Sequence, residues 1–461
     1  METIGISQVA LNSSYIERAR DFVPKGITAL GESVASYDAE GLFAKNTRTR
    51  DVLTYEVSDI ILDSFWCALI KDNRIIGESR YLLPETGYKT LQIRPHQVIY
   101  VGGGSTGIVG YNWGHRNYYH WLIQSLPSLD WPTRGIQSQQ NKTLVLPVLS
   151  EWQEESLSLL GINNIDRIEV DLVSQYHFDT VEYSEYLGGS TAYSVSLKAI
   201  ETFDRMKCGV SGLSSQTDRI YVARTDTDQR KILNEGDVID FLKSQGFRIV
   251  VPSEYCLADQ IKIFHSAKLV VGGHGGGLSN LVFCQEGSWI LELLQATYIN
   301  PCFHSLAQAR GLNYAAEVFT SVEDPAPKPA NPLEIAWNLD MDVIRSRIDD
   351  ITQRSRTQVG YMHESPNDLP PTPNEANSKQ VKCHECGLCV RVLRTYLVDS
   401  HLVDWELHCD IHPDDLESFL SFCPTIEAVR QRRDGEQLPD CLFLNAAATR
   451  HVFSNRLLKS S

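Results

Sequence analysis

The sequence of 461 residues predicts an α/β protein built on parallel sheets, with a cysteine-rich extension at its end. Three observations lead there. From Asp218 to Leu294, short apolar runs alternate with amphipathic stretches of helical length, the pattern of right-handed βαβ units with helices on both faces of a sheet. The length exceeds one small core and calls for two domains. Six of the eleven cysteines crowd the stretch from Cys383 to Cys441, while Cys67, Cys208, Cys256, Cys284 and Cys302 are scattered in mostly apolar surroundings and read as buried free thiols.

The elements follow in order. The first hundred residues offer β-like runs, DVLTYEV, CALIKDNRIIGESRYL and HQVIYV, separated by Asp-Asn and Pro turns. A glycine-rich loop, GGGSTGIVGYNWGHRN, precedes YYHWLIQSLPSL, an amphipathic helix expected to stop near Pro127. KTLVLP reads as a strand, Glu151 to Leu160 as a helix and DRIEVDLV as a strand. Beyond Asp218, the strands DRIYVAR, RIVVPS, KLVVGG and SWILELL alternate with the helices ILNEGDVIDFLKSQGF, closed by glycine, and LADQIKIFHSA. A helix-like segment, SNLVFCQEG, separates the last two strands, and Trp337 to Arg354 reads as a terminal helix. ESPNDLPPTPNEANSKQ has the composition of a linker. The resulting domains are 1–205 with a β-rich start, 206–335, a terminal helix at 336–360, a linker at 361–380 and a Cys/His-rich extension at 381–461.

Composition narrows the function classes. A hydrophobic share of 42% and a charged share of 22% are ordinary for a globular chain. A net charge of -16 argues against a nucleic-acid partner, which demands concentrated Lys and Arg. It leaves room for a small anion held by one or two cations and backbone N–H groups. No apolar stretch is long enough to span a bilayer, so no integral membrane segment is expected. The first twenty residues lack the basic end and apolar run of a secretory signal. The expected location is cytoplasmic, with membrane association peripheral at most. Sequons at Asn12 and Asn141 carry weight only in a secreted chain.

Four stretches carry candidate chemistry. In VVGGHGGGLSNLVF, Gly275, Gly276 and Gly277 expose backbone N–H groups at a strand end, and His274 can add a hydrogen bond or a charge to a diphosphate. A tight turn with His274 capping a carbonyl explains the same residues. GGGSTG, Gly102 to Gly107, matches G-x-G-x-x-G, but no helix opens at its third glycine and no acidic residue ends a second strand about twenty residues on, so the NAD reading is weak. In NWGHRNYYHWLIQSLPSL, Asn117, His120 and Gln124 share a polar stripe while Tyr119, Leu122, Ile123 and Leu126 turn inward. His120 suits a general base and Arg116 a phosphate contact; a packed aromatic helix with a satisfied histidine is the alternative. In RIYVARTDTDQRKILNE, Arg224 ends a strand at the same carboxyl edge as His274, Arg230 lies in the loop, and Asn234 with Glu235 opens the next helix. An arginine there can neutralise a diphosphate leaving group, or the stretch is a surface loop with an Asn cap. Glu292, in the apolar strand SWILELL, suits a ribose hydroxyl pair or faces water at an edge.

Together and in this order, NYYHWLIQSLPSL, RIYVARTDTDQRKILNE, the stretch from Val270 to Leu294 and NLDMDVIRSRID resemble glycosyltransferase family 61. The resemblance covers roughly Asp51 to Arg354. It implies a GT-B-like architecture of two Rossmann-like domains, with 1–205 on the acceptor side and 206–335 holding a nucleotide-sugar donor, most simply a UDP-sugar. It also implies inverting transfer to a glycan or protein-linked acceptor with no cofactor required for catalysis. By position, His274, Gly275, Gly276, Gly277 and Asn280 would cradle the diphosphate, Arg224 would pair with it, Arg230 and Asn234 would lie in the donor loop, and Glu292 would meet the ribose. His120 would face the cleft as base or orienting residue. The family's loop commonly reads His-Gly-Ala-Gly, and Gly276 here replaces the alanine.

The tail lies outside this resemblance. KCHECGLCVR sets Cys383, Cys386 and Cys389 at C-x-x-C-x-x-C spacing, with Cys409, His412 and Cys423 later. Short spacing in a cytosolic chain favours a metal over a disulfide, and a structural zinc on Cys383, Cys386, Cys389 and Cys409 is one reading. An extension whose cysteines bind nothing is the other.

Overall fold

The computed structural model describes residues 1–363 except 39–40, 45–46, 82–90, 135–140, 189–195, 215–217 and 321–334, together with four short strands between 391 and 408. Residues 1–358 form one unit containing two sheets. The β-rich start supplies β1 (Thr3–Ile4), β2 (Asn12–Glu17), β3 (Thr28–Leu30), β4 (Val52–Asp63), β5 (Ala68–Lys71) and β6 (Arg74–Ile76). After them come β7 (Val98–Val101), β8 (Thr106–Val109), β9 (Lys142–Pro147), β10 (Arg167–Val170) and β11 (Gln175–Ser184).

The first sheet has ten strands in the order β1-β6-β5-β4-β11-β8-β9-β10, with β2 also on β4 and β7 on β11. It is mixed rather than parallel throughout. β4, β5 and β6 are joined by tight turns and must therefore lie antiparallel; Asp72 and Asn73, both at positive φ, close the β5–β6 hairpin. The Rossmann-like parallel pattern is confined to β11-β8-β9-β10. The glycine-rich match Gly102 to Gly107 links β7 to β8, both parallel to β11, so a strand follows it where a dinucleotide fingerprint needs a helix.

The helices of this half are α1 (Glu32–Tyr37), α2 (residues 118–133), α3 (Glu151–Leu160) and α4 (Leu197–Cys208). Helix α2 does not stop near Pro127. It passes through a π-helical turn, Trp121–Ser125, in which the Leu126 N–H reaches back to the Trp121 carbonyl, and continues as Leu126–Thr133. The wider turn opens the ladder where Pro127 lacks a donor and its ring would crowd the preceding turn.

The second sheet follows the predicted alternation. Its strands are β12 (Asp218–Val222), β13 (Arg248–Val250), β14 (Ala267–Gly273), β15 (Trp289–Gln295) and β16 (Asn313–Phe319), interleaved with α5 (Glu235–Ser244), α6 (Leu257–Ser266), a 3-10 helix (Gly276–Phe283) and α7 (Cys302–Arg310). The order is β13-β12-β14-β15-β16-β3, all parallel, with the early strand β3 as its last member. Ile220, Val222, Val270 and Ile290 face a core shared with α2, α4 and α6, which also reaches Ile108 and Leu144 of the first sheet. Tyr221, Val271, Leu291 and Ala315 face the opposite layer, where α8 (Met341–His363) lays down Ile344, Ile348 and Ile351 at helical spacing. Burial on both faces is why these strands read as nearly unbroken apolar runs.

In the unit from Val359 to Ser461, β17 (Arg391–Val392) pairs with β20 (Leu407–His408) and β18 (Tyr396–Val398) with β19 (His401–Asp404), both antiparallel. Cys383, Cys386, Cys389, Cys409 and the zinc expectation lie outside the described residues. Of the scattered cysteines, Cys67, Cys284 and Cys302 are buried and Cys208 and Cys256 are exposed. Among the described residues no helix is long and apolar enough to cross a membrane.

Candidate active site

Numbered within their own sheet, β12 to β16 run 2-1-3-4-5. In that order the connections leave β12 and β14 toward opposite faces, and the carboxyl ends of these neighbours bound a crevice, the usual ligand position in open α/β sheets. Arg224 stands two residues beyond β12, and His274 immediately follows β14. The sheet topology therefore brings together residues fifty positions apart.

The glycine loop is shaped around Arg224. A Cβ on Gly275 would stand 1.7 Å from Arg224 Nη1, and one on Gly273 would stand 3.1 Å from Arg224 Cδ. Gly277 is held close by Val222 and Pro252, at 3.0 and 3.1 Å from its would-be Cβ. Gly276 is different, because its nearest neighbour would be Tyr118 Cβ at 3.7 Å, an ordinary contact. The helix-like segment that follows is a 3-10 helix, Gly276–Phe283.

Arg224 and Arg230 face each other's field with no carboxylate in an ion pair with either among the described residues. The Arg224 backbone N–H donates to Glu235 Oε1 at 2.8 Å and its Nη2 to the Gln229 carbonyl at 2.7 Å. Burial, reinforced by the charge of Arg230, pushes the Arg224 guanidinium down to about 10. Burial also lowers Arg230. Each has a buried Nε with no hydrogen-bond partner. Arg230 adopts φ 48, a left-handed conformation that costs a non-glycine residue about 1 kcal/mol or more. It is held there by Trp337, whose Nε1 donates to the Arg230 carbonyl at 2.8 Å, and its guanidinium lies 4.8 Å above the Tyr298 ring. A half-buried and a buried cation, each with an unused donor, have the chemistry to hold an anion.

His274 is fixed from behind. Its Nδ1 lies 2.5 Å from Glu292 Oε1, and Tyr314 donates its hydroxyl to Glu292 Oε2 at 2.5 Å. Glu292 is fully buried on the central strand β15, neither at an edge nor facing water, and both carboxylate oxygens are bonded inside the protein. A ribose contact there would displace one of these bonds. Because the carboxylate only accepts, Nδ1 carries the proton and Nε2 is left for a ligand. Tyr298 and Phe303 pack on the imidazole with ring centroids 5.4 and 4.9 Å away.

The remaining predicted residues take other places. Asn280 is fully buried: its Oδ1 accepts from the Tyr118 hydroxyl at 2.7 Å, and its Nδ2 donates to Gln260 Oε1 at 2.8 Å. It locks α2 to the 3-10 helix, and its Nδ2 also donates to the Gly277 carbonyl of the glycine loop at 3.2 Å. Asn234 occupies the N-cap position of α5, but its side chain makes no capping bond; its amide pairs with the Leu339 carbonyl and N–H at 2.8 and 2.9 Å. Arg116 is exposed.

His120 and Gln124 share a face as expected, with His120 Nδ1 3.0 Å from Gln124 Oε1. The Tyr81 hydroxyl lies 2.6 Å from Nδ1 and 3.0 Å from Nε2. Gln124 Oε1 also accepts from Asn112 Nδ2 at 2.9 Å, so His120 Nδ1 donates to that oxygen, and the Tyr81 hydroxyl stands against both ring nitrogens. Burial lowers the pKa of His120. A ladder of rings, His120 on Tyr119, Tyr119 on Phe303 and Phe303 on His274, at 5.3, 5.8 and 4.9 Å, connects the two histidines.

This constellation coincides with a family match. Residues 118–291 fit the family model of Glycosyltransferase 61, whose start is α2 and whose end is β15. Over those residues the chain is similar to glycosyltransferase family 61. Similar relatives include the EGF domain-specific O-linked N-acetylglucosamine transferases of Gallus gallus and Mus musculus, 30% and 31% identical over 101 residues. The Beta-1,2-xylosyltransferase of Arabidopsis thaliana is 26% identical over 101 residues. These alignments cover 21%, 21% and 19% of this chain, and 19% of each relative's own length.

The family 61 pattern signalled Arg224, His274 and the glycines. Sequence reasoning missed Tyr298, Phe303, Tyr314 and Tyr118, and took Glu235 only as a helix start. An aromatic in an apolar run reads as core, and only the fold turns Tyr298 toward both Arg230 and His274.

Proposed function

We propose that this chain is an inverting glycosyltransferase, moving a sugar from a nucleotide-activated donor to a hydroxyl of a glycan or a protein-linked acceptor. The observation that carries this reading is the pair of half-buried Arg224 and buried Arg230 after β12, at the β12/β14 switch point, each with an unpartnered Nε and with no carboxylate in an ion pair with either among the described residues. A nucleoside diphosphate supplies the matching charge. As the bond between the anomeric carbon and the diphosphate oxygen breaks, negative charge grows on that oxygen, and the guanidinium groups of Arg224 and Arg230 offset it, while His274 Nε2 is free to accept from a donor hydroxyl. In this reading the positive charge needed at the leaving group comes from the arginines, so a catalytic metal ion is not required. Glu292 orients His274 instead of binding ribose.

In the GT-B-like arrangement proposed here, the second sheet holds the donor and α2 brings the acceptor side. The acceptor hydroxyl attacks from the face opposite the diphosphate, which inverts the anomeric centre. His120 takes its proton, directly or through the Tyr81 hydroxyl, and its lowered pKa keeps it unprotonated at neutral pH. The sugars in the relatives' names, N-acetylglucosamine and xylose, make the corresponding UDP-sugars the first donors to test.

The test is nucleotide binding and turnover on the full chain. A nucleoside diphosphate at about a hundred times its Kd stabilises the folded state by about 2.7 kcal/mol. Melting curves of the wild type should show that gain with one of UDP, GDP, CDP or TDP, and Arg224→Ala should abolish it. Mass spectrometry should find donor hydrolysis or transfer. Binding without any turnover leaves a nucleotide-sugar-fold scaffold; no shift with any of the four removes the proposal.

A further inference from the structure

The opposite edge of the second sheet carries another cluster of positive charge. Arg248, Arg219 and Lys268 lie at the amino-terminal ends of β13, β12 and β14, three strands adjacent in that order. With Asp218, Gln245 and Gly246 they line a surface depression of about 280 Å³, near the lower limit of small-ligand sites. The arginines are partly pre-organised on aromatic faces, Arg219 over Phe247 at 5.9 Å and Arg248 over Tyr255 at 5.6 Å. None of the three cations makes an ion pair with a carboxylate among the described residues. The nearby acids are engaged elsewhere: Asp218 Oδ2 accepts from Ser266 Oγ at 2.8 Å, and Asp259 pairs with Lys262 at 3.0 Å.

We infer that this depression is a second anion site, separate from the proposed donor crevice, and that it takes a small phosphomonoester. Three cations against one carboxylate leave two positive charges, which match a phosphomonoester dianion. In a chain of net charge -16, such a local excess is not the background field. Guanidinium forks suit tetrahedral oxyanions, and Gly246 at φ 80 turns the chain sharply at the rim with no side chain. The depression is too small for a polymer strand.

Calorimetric titration of phenyl phosphate into the full chain tests this, with three proteins compared: wild type, the doubly substituted Arg219→Gln/Arg248→Gln chain, and Arg224→Ala. Wild type and Arg224→Ala should bind alike. The double substitution should weaken binding roughly tenfold or more, since each arginine supplies charge-assisted hydrogen bonds. Its melting curve without ligand should match the wild type; should the double variant fail to fold, Lys268→Glu reads the same site. Absence of phenyl phosphate binding to the wild type overturns the inference. So does binding that survives the basic substitutions or disappears with Arg224→Ala. The donor reading stands or falls separately, on nucleoside diphosphate and Arg224.

Discussion

Adding one methyl group at Gly275 or at Gly276 should have opposite consequences. Gly275 has φ 173, an extended backbone open to any residue, so Gly275→Ala introduces no backbone strain. Its new Cβ would instead stand 1.7 Å from Arg224 Nη1. The guanidinium is the far end of a flexible side chain and can swing away, giving up the Nη2 bond to the Gln229 carbonyl, worth about 1 kcal/mol. Stability should therefore fall only slightly. Diphosphate binding should fall much further, because losing one charge-assisted arginine contact costs about 1.5–3 kcal/mol, or about 10- to 150-fold in Kd. Gly276→Ala meets nothing closer than Tyr118 Cβ at 3.7 Å and should bind as the wild type does, with stability unchanged or raised by about 0.4–1 kcal/mol. Calorimetric titration with a nucleoside diphosphate and thermal melting on both variants separate the two effects. Wild-type affinity in Gly275→Ala would refute the placement of Arg224 in the site, and equal losses in both variants would refute the steric argument.

Glu292→Gln keeps the shape but removes the negative charge behind His274 and replaces one of two acceptor oxygens by a donor, and should lower kcat/KM by tenfold or more with a smaller loss of stability, read by donor turnover and melting. Tyr118→Phe strands one side of the Asn280 and Gln260 network and should cost about 1–3 kcal/mol in denaturant unfolding. His304 is fully buried, and desolvation pushes its pKa down to about 4. The unfolded chain, titrating near 6.5, binds that proton first, so stability should decline as pH drops from about 6.5 to about 4. The loss amounts to about 3 kcal/mol, and His304→Gln should flatten that limb of the curve.

Much of the donor half was legible in the sequence. Parallel strands buried on both faces must be apolar along their length, and the helices between them must be amphipathic, so β12 to β15 and α5 and α6 appear in the residue pattern at nearly their true bounds. The first sheet was harder to read. β7 and β8 are exposed or short, β3 crosses to the other sheet, and α2 continues past Pro127 through a π turn that no propensity signals. Arg224 and His274 stood out because charge at the end of an apolar strand is conspicuous.

What the sequence determined by itself was the alternation of elements, the glycine loop and which polar residues close the apolar strands, because these depend on local periodicity and on residues that tolerate few environments. Tertiary structure alone decided the partners. It paired Glu292 with His274 and Tyr314, consumed Asn280 and Asn234 in contacts that hold segments together, and brought Tyr298 under Arg230. Those outcomes depend on strand order and on where a side chain is buried. A carboxylate in an apolar strand has the same sequence signature whether it meets a ligand or an internal histidine, and only the fold distinguishes the two.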